Sequence, residues 1–554
     1  MPHAVSMASP GLQALILCGP GSNFPTFTAN PDENPKALLP IANRPMVWYP
    51  IDFCYRAGIT NITLVCPPTA AEAIRTSLDT NPYLTGLPLP RPDLLAPANL
   101  DQNTGTAEIL RLPEVKEIVT SDFVVLPCDL VCELGGDKLL QAWYVKSASL
   151  GDLLGDASVK ERSGGLGVWY ETKTATPVKG EETDFVATVP QPSSSVPAPK
   201  GSLLPNLSNV VYSMPTDSLK DLTDEKTGFP IRHGLLRRHP RIRMLTTHRD
   251  AHIYIFPHWV MDFISENERL ESIGEDVIGW WAKATWQSGL SEKLGFRKIL
   301  GMHKQEGEEP SSANDTATPS EEGGSDEHTD ASGGEQTESR PNPGRKESAS
   351  SVKEEDGIVV PPMLAYIHPS SSTAPSNPLV RRVDTAKLLL AISLELAKLP
   401  SVEEVGAEAA SPFAHARKVA YPEGVKQRTT ITKADSLVDN NVTVQEKTSI
   451  KESVIGANCQ IGEGAKLQQC VLMEGVVIGK NCKLTKCVLG KRSEIGDGSI
   501  LTDVEVQENL YVEPKTEEKD TKLMSSEGLE ATEEEMQEVL DQDDDAGDDE
   551  DVEQ

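Results

Sequence analysis

The sequence predicts an α/β domain followed by a triangular parallel β-helix, and three observations carry that reading. Short apolar runs alternate with helical stretches across residues 11–130, the pattern of a parallel sheet covered by helices. A spacing of 17 residues recurs through 450–506. Between these regions lies a long stretch almost without aliphatic side chains.

In the first region, Leu12–Cys18, Ile62–Cys66 and Phe123–Leu126 read as buried strands, the first running into a Gly/Pro turn. Met46–Ala57 and Thr69–Leu78 read as the intervening helices. Residues 171–205 are rich in Thr, Pro and Ser and read as an insertion without regular structure. The pattern resumes in Asn209–Tyr212 and His252–Phe256, then in a helix near Phe263–Trp286 with Trp280 and Trp281 as its core anchors. The first domain is thus placed at 11–300.

Residues 304–357 are dominated by Glu, Ser, Gly and Asp. Such a composition cannot bury enough apolar surface to offset its ordering entropy, so an acidic disordered linker is expected. Beyond it, Met363–His368 reads as a strand. Val383–Leu399 reads as a helix, with Ala386, Leu389, Leu390, Ser393, Leu394 and Ala397 at helical spacing. The 360–430 segment is too small for a domain and reads as a connector.

The repeat is the most informative feature. Ile461, Ile478 and Ile495 are spaced by 17, and so are Ile450, Leu467, Leu484 and Leu501. Small residues keep the same step in Ala465, Cys482 and Ser499. An aliphatic residue about every sixth position, pointing into a prism, is what a triangular β-helix of hexapeptide repeats requires, with Gly or Asn at the corners. Four coils are expected, five if Thr432–Val444 begins the run, and the domain is placed at 431–512. Cys459, Cys470, Cys482 and Cys487 occupy the small slots without CxxC spacing or a nearby His, so they read as packing residues.

Charge sharpens the division. The 554 residues hold 84 acidic and 52 basic side chains, for a net charge of −32. Residues 513–554 account for −16, read as an acidic disordered tail in which Glu527–Leu540 could form a short helix, and 304–357 account for −10. The rest is near balance at about −6, so the acidity says little about what the folded domains bind. It excludes a histone-like or ribosomal nucleic-acid binder and disfavours an anionic membrane surface. Nine scattered cysteines do not form a disulfide framework, and no apolar window spans a membrane, so a soluble cytosolic protein is expected. The histidines from His233 to His258 match no ligand set, and Arg237 to Arg243 form the one basic patch, read as a solvated or inter-subunit face.

Gly19-Pro20-Gly21-Ser22 follows the first strand, and Pro35-Lys36-Ala37-Leu38-Leu39-Pro40 comes soon after. A Gly-rich turn followed by a lysine is how α/β folds hold a triphosphate. With Gly105-Thr106-Ala107-Glu108 and Leu126-Pro127-Cys128-Asp129-Leu130, the chain resembles the sugar-nucleotide pyrophosphorylases. The resemblance implies a Rossmann-like nucleotidyltransferase domain and a left-handed β-helix. It implies that Gly19, Gly21, Ser22 and Lys36 lie at nucleotide phosphates, Gly105 and Thr106 at the base and sugar, and Asp129 at magnesium.

The departures point away from catalysis. Asn23 and Phe24 stand where that family carries an arginine to stabilise the departing pyrophosphate, and the Glu-Lys-Pro motif that grips the sugar phosphate is absent. Pro20 removes one N–H from the loop. No catalytic residue is assigned and no metal site, apart from Asp129 if magnesium is retained. No cofactor is expected, with residual GTP- or ATP-magnesium binding left open.

The run Asn34-Pro35-Lys36-Ala37-Leu38-Leu39-Pro40-Ile41-Ala42-Asn43-Arg44-Pro45-Met46-Val47-Trp48-Tyr49-Pro50 goes further. With His239-Pro240-Arg241-Ile242-Arg243 and Asp250-Ala251-His252-Ile253-Tyr254, it resembles the gamma-subunit family of eukaryotic translation initiation factor 2B. That resemblance implies a non-catalytic regulatory and structural subunit of a heterodecameric guanine-nucleotide exchange factor. The implied partners are the epsilon subunit as heterodimer, the alpha, beta and delta subunits, and initiation factor 2, with neither membrane nor nucleic acid. The alternative is an active sugar-nucleotide pyrophosphorylase of the GDP-mannose type. A β-helix acyltransferase would need a His between coils, and residues 440–506 contain none.

Overall fold

The computed structural model describes residues 10–302 apart from 102, 148–162, 175–176, 193–196, 227 and 230, and residues 359–525 apart from 370–376. The tail from 526, including Glu527–Leu540, and all of the acidic stretch 304–357 lie outside the described residues.

The N-terminal domain is built on a nine-stranded sheet. Its first part is parallel: Asp93–Leu95, Asn61–Val65, Gln13–Leu17 and Phe123–Pro127 lie side by side, with Gln13 paired to both Asn61 and Phe123. Their near-continuous apolar sequences suit strands covered on both faces, and helices Trp48–Arg56 and Ala71–Thr80 connect them.

The second part departs from the expected parallel sheet. The long strand Arg243–Phe256 runs antiparallel to Phe123–Pro127 and to Leu166–Glu171. Asp184–Pro190, inside the segment read as an irregular insertion, is a strand paired antiparallel with Leu207–Pro215 on one side and with Arg243–Phe256 on the other. Its Val186 and Ala187 are buried, a signal that the flanking Pro and Thr obscured.

Leu364–Ile367 belongs to the same sheet, parallel to Leu166–Glu171 and antiparallel to Leu207–Pro215. Part of the 360–430 segment therefore completes the first domain. The helix expected near Phe263–Trp286 is interrupted: Trp259–Glu266 is followed by a π-helical turn, Ile273–Val277, and then Ile278–Ala284. Trp281 is fully buried and donates its indole N–H to the Pro361 carbonyl at 2.7 Å, but Trp280 is 39% exposed and anchors no core.

The C-terminal domain is a prism of three parallel sheets with six, six and five strands. Ile450, Leu467, Leu484 and Leu501 stack in register, as do Ile461, Ile478 and Ile495, and all are buried. The ladder overruns both expected bounds. Bridges begin at Val419–Val438, and strands continue to Glu517–Lys519 and Lys522–Leu523. Residues 513–525 therefore form coil and not tail.

Left-handed backbone at the corners falls on Asn441, Asn458, Asn481 and Asn509, among others. The glycine of each Ile-Gly pair serves another purpose, close approach between coils. A Cβ on Gly462 would meet the Gly479 carbonyl carbon at 2.6 Å.

Helix Ala386–Ala397, capped by Thr385 Oγ1 accepting from the Leu388 N–H at 3.3 Å, sits at the junction of the two domains. Its buried face joins one core with Ile41, Tyr49, Val454 and Val471. The Pro40–Ile41 and Arg44–Pro45 hairpin turns through Ala42 and Asn43, both at positive φ. That turn spends its polar groups on the junction. Asn43 Nδ2 donates to the Ile455 carbonyl at 3.0 Å. The Arg44 guanidinium donates to the Phe413 and Ala414 carbonyls at 2.9 and 2.8 Å.

Candidate functional site

The C-terminal ends of the parallel strands are where an open α/β sheet binds ligands, and a cavity of about 190 Å³ lies there. Of the residues singled out from sequence, Gly19, Lys36, Thr106 and Asp129 line it. Gly21, Ser22 and Gly105 do not.

Gly21 holds φ at +89°, and a Cβ there would meet Thr28 and Lys36 at about 3.1 Å, so the position demands glycine. Its carbonyl accepts from the Phe24 N–H at 2.8 Å and from Thr28 Oγ1 at 2.9 Å. Phe24 and Phe27 are buried, with the Lys36 ammonium 6.0 Å from the Phe24 ring. The stretch after Gly21 is a turn closed on itself, with the Phe24 side chain packed inward. Ser22 is exposed and lines a wider surface cleft that adjoins the cavity and shares Gly19, Pro20 and Leu100 with it.

The Gly-Thr-Ala loop is likewise committed internally. The Gly105 N–H donates to Glu108 Oε2 at 2.7 Å, Thr106 Oγ1 accepts from the Ile273 N–H at 2.9 Å, and the Ala107 N–H donates to the Glu271 carbonyl at 2.9 Å. A Cβ on Gly105 would lie 2.2 Å from the Glu271 oxygen, so that glycine serves close packing against the π-helical turn.

The decisive geometry surrounds Asp129, which is fully buried. Its Oδ2 accepts from Lys36 Nζ at 2.7 Å and from Arg382 Nη2 at 3.1 Å, and its Oδ1 accepts from Arg382 Nε at 3.1 Å. Burial opposes ionisation, but the Arg382 and Lys36 charges outweigh it and hold the carboxyl well below the usual carboxylate range. Arg382 Nη1 also lies 3.3 Å from His252 Nε2. Burial and the neighbouring Arg382 push that imidazole well below its ordinary pKa, so it is neutral and accepts. Magnesium would have to displace one of two charge-assisted hydrogen-bonding partners. As they stand, these residues do not fit a magnesium-bound triphosphate.

Arg382 escaped the sequence reading. It comes from strand Val380–Arg382, which pairs antiparallel with Leu130–Cys132 immediately after Asp129. The run Val380-Arg381-Arg382-Val383-Asp384 sends three charges into the first domain. Arg381 donates to the Glu171 carbonyl at 2.9 Å, Arg382 reaches Asp129, and Asp384 pairs with buried Arg249. Charged residues held between Val380 and Val383 were the available signal that they are buried in pairs.

Below Arg382 lies a second polar group. The Asp250 N–H donates to Asp184 Oδ2 at 2.7 Å, and Asp250 Oδ2 accepts from the Tyr254 hydroxyl at 2.6 Å. Burial and the Asp184 charge raise the Asp250 pKa to about 7. Among the described residues, no group of three His, Cys, Asp or Glu is placed to hold a metal ion, and all nine cysteines are buried and free.

The fold is that of a nucleotidyltransferase-like α/β domain followed by a left-handed β-helix. Residues 419–517 match a family model described as the EIF2B subunit epsilon LbH domain. The chain is similar to proteins named translation initiation factor eIF2B subunit gamma. Against the Schizosaccharomyces pombe protein it is 28% identical, over 52% of this chain and 55% of that one. Against the Caenorhabditis elegans protein it is 23% identical, over 48% and 57%. For Dictyostelium discoideum the figures are 27%, 42% and 47%. The chain thus spans about half the length of the curated relatives it matches. Among the described residues no helix is long and apolar enough to cross a membrane.

Proposed function

We propose that this chain is a non-catalytic, regulatory and structural subunit of translation initiation factor 2B. In this reading it pairs with the epsilon subunit and, with the alpha, beta and delta subunits, supports GDP-to-GTP exchange on initiation factor 2 in the cytosol. The observation that carries the non-catalytic part is the Lys36–Asp129–Arg382 cluster. A carboxylate locked between two internal cations offers nothing to magnesium, and an in-line attack on an α-phosphate needs positive charge aimed at the leaving group. Here both cations are spent on the protein itself. The likeness to gamma subunits supplies the complex.

The pairing is tested by co-expressing the full chain with an epsilon-type subunit and separating the products by gel filtration. The expected result is a stoichiometric heterodimer, with the chain poorly soluble when expressed alone. A well-behaved monomer that ignores the partner contradicts the assignment.

A further inference from the structure

The N-terminal domain carries a groove of about 510 Å³ that shares no residue with the strand-end pocket. Residues of helix Ile278–Ala284, of the short helix Leu290–Lys293 and of helix His233–Arg238 line it. Its floor is fixed. Trp286 donates its indole N–H to the Val211 carbonyl at 2.7 Å, and the Tyr212 ring meets Phe229 edge-on with centroids 5.8 Å apart.

Two properties of this groove are not explained by the packing of the fold. The first is apolar exposure. Trp280 is 39% exposed and Ile231 43%, and Leu236, on the helix at the rim, is 48% exposed. Large apolar side chains clustered in this way mark an interaction surface. The second is charge. Arg232, Lys283 and Lys293 line the groove, and among the described residues no Asp or Glu does. Lys283 Nζ lies 4.7 Å from the centre of the Tyr212 ring and 4.9 Å from that of Trp280, so aromatic faces hold the ammonium. Burial and, after it, the Arg232 charge lower the Lys283 pKa, and Asp276 and Glu275 offset this only in part. The positive surface continues past the rim. No acidic residue occurs from Ile231 to Arg249, and Arg237, Arg238, Arg241 and Arg243 are all exposed.

An occupant must therefore be both anionic and apolar. Leu222, Leu235 and Leu290 share the groove with the rings, which suits a bulky side chain borne on a peptide better than a phosphate backbone. We propose that this groove docks an acidic peptide segment of a partner protein. One large apolar side chain sits among Tyr212, Trp280 and Leu290, and flanking carboxylates lie on Arg232, Lys283 and Lys293. Such an anchor in a rimmed pocket, with charges setting the partner choice, is how short segments gain both affinity and specificity. This docking requires no chemistry at the strand-end pocket and is independent of membership in the exchange factor.

The test is fluorescence anisotropy on the purified full chain, as the epsilon heterodimer or alone, whichever is soluble. The probes are labelled Glu/Asp-rich peptides with Leu, Phe or Trp anchors at helical spacing, beside the same peptides with every anchor replaced by Ala. The expected result is one saturable site that Trp280→Ala and Lys283→Met each weaken at least tenfold, with a loss of the same size for the anchorless peptides. Trp280 is exposed, so its variant remains folded and reads the groove even if Lys283→Met does not. No saturable binding, or binding that Trp280→Ala or the loss of the anchors leaves unchanged, overturns the proposal. Three further outcomes also overturn it by giving the groove to another occupant. Binding seen only after deletion of 304–357 assigns it to the chain's own acidic stretch. A dimer of the chain that Trp280→Ala dissolves assigns it to a second copy, and displacement of the peptide by equimolar oligouridylate assigns it to nucleic acid.

Discussion

The β-helix and the strand-end pocket solve the same problem, placing polar backbone around a packed interior, in opposite ways. In the β-helix each of these strands pairs with the strand 17 residues away, so Ile450, Leu467, Leu484 and Leu501 repeat a single solution. At the pocket, Asp129 is completed by Lys36 from 93 residues upstream and Arg382 from 253 downstream. Damage in a repeat is shared with nearest neighbours. Damage at the pocket unbalances a buried cluster whose members come from distant parts of the chain.

The largest expected effect follows from that difference. Arg382→Ala strips Asp129 of its bidentate partner inside a buried site and should cost about 3–5 kcal/mol, read by chemical denaturation of the N-terminal domain through its tryptophans. It should also make Asp129 easier to protonate. Asp129 in the intact protein is held low, so its stabilisation is present above the ordinary carboxylate range and fades only as pH falls below it. In the variant that loss should be smaller and complete at a higher pH, because the folded-state pKa is less depressed.

Leu467→Ala and Leu484→Ala should each cost about 2–5 kcal/mol, and by closely similar amounts, because the two sites are equivalent. Val512→Ala on an outer coil should cost less. Hydrogen exchange resolved by mass spectrometry gives the local values, and clearly unequal costs at 467 and 484 would break the nearest-neighbour picture.

A pH experiment separates the two carboxylates of the pocket region. Asp250 is shifted the opposite way from Asp129, up to about 7. Its contribution is therefore fully present below about 4, the unfolded carboxylate value, and is lost as pH rises through about 7. Asp250→Asn should flatten that part of the melting-temperature profile. A variant profile parallel to wild type between those limits contradicts the assignment.

The smallest effect is expected at Trp280→Ala, within about 0.5 kcal/mol for an exposed side chain. The adjacent Trp281→Ala should cost about 3–5 kcal/mol.

These regions were also unequally legible. The repeat is written locally, so its period, its inward residues and the small slots at Cys470, Cys482 and Cys487 could be read directly. Only its ends were misplaced, because Glu517 and Lys522 sit on coil strands yet look like tail. At the pocket, Lys36 and Asp129 were legible because short motifs surround them. Arg382 was not, because the pairing of Val380–Arg382 with Leu130–Cys132 across the intervening acidic stretch brings it there, and single-sequence periodicity carries no trace of that pairing. Trp280 and Trp281 show the same limit within two residues. A π-helical turn just before them sets which ring faces inward, and composition does not announce such a turn.

The proposed non-catalytic role rests on Lys36 and Arg382 being held on Asp129. Its most direct test is a coupled pyrophosphate-release assay on the purified chain with GTP or ATP, magnesium and a panel of sugar 1-phosphates, wild type beside Arg382→Ala. The account predicts no magnesium-dependent turnover above the enzyme-free control for either protein. Sustained turnover by the wild type, with Asp129 and Lys36 required for it, would contradict the account outright.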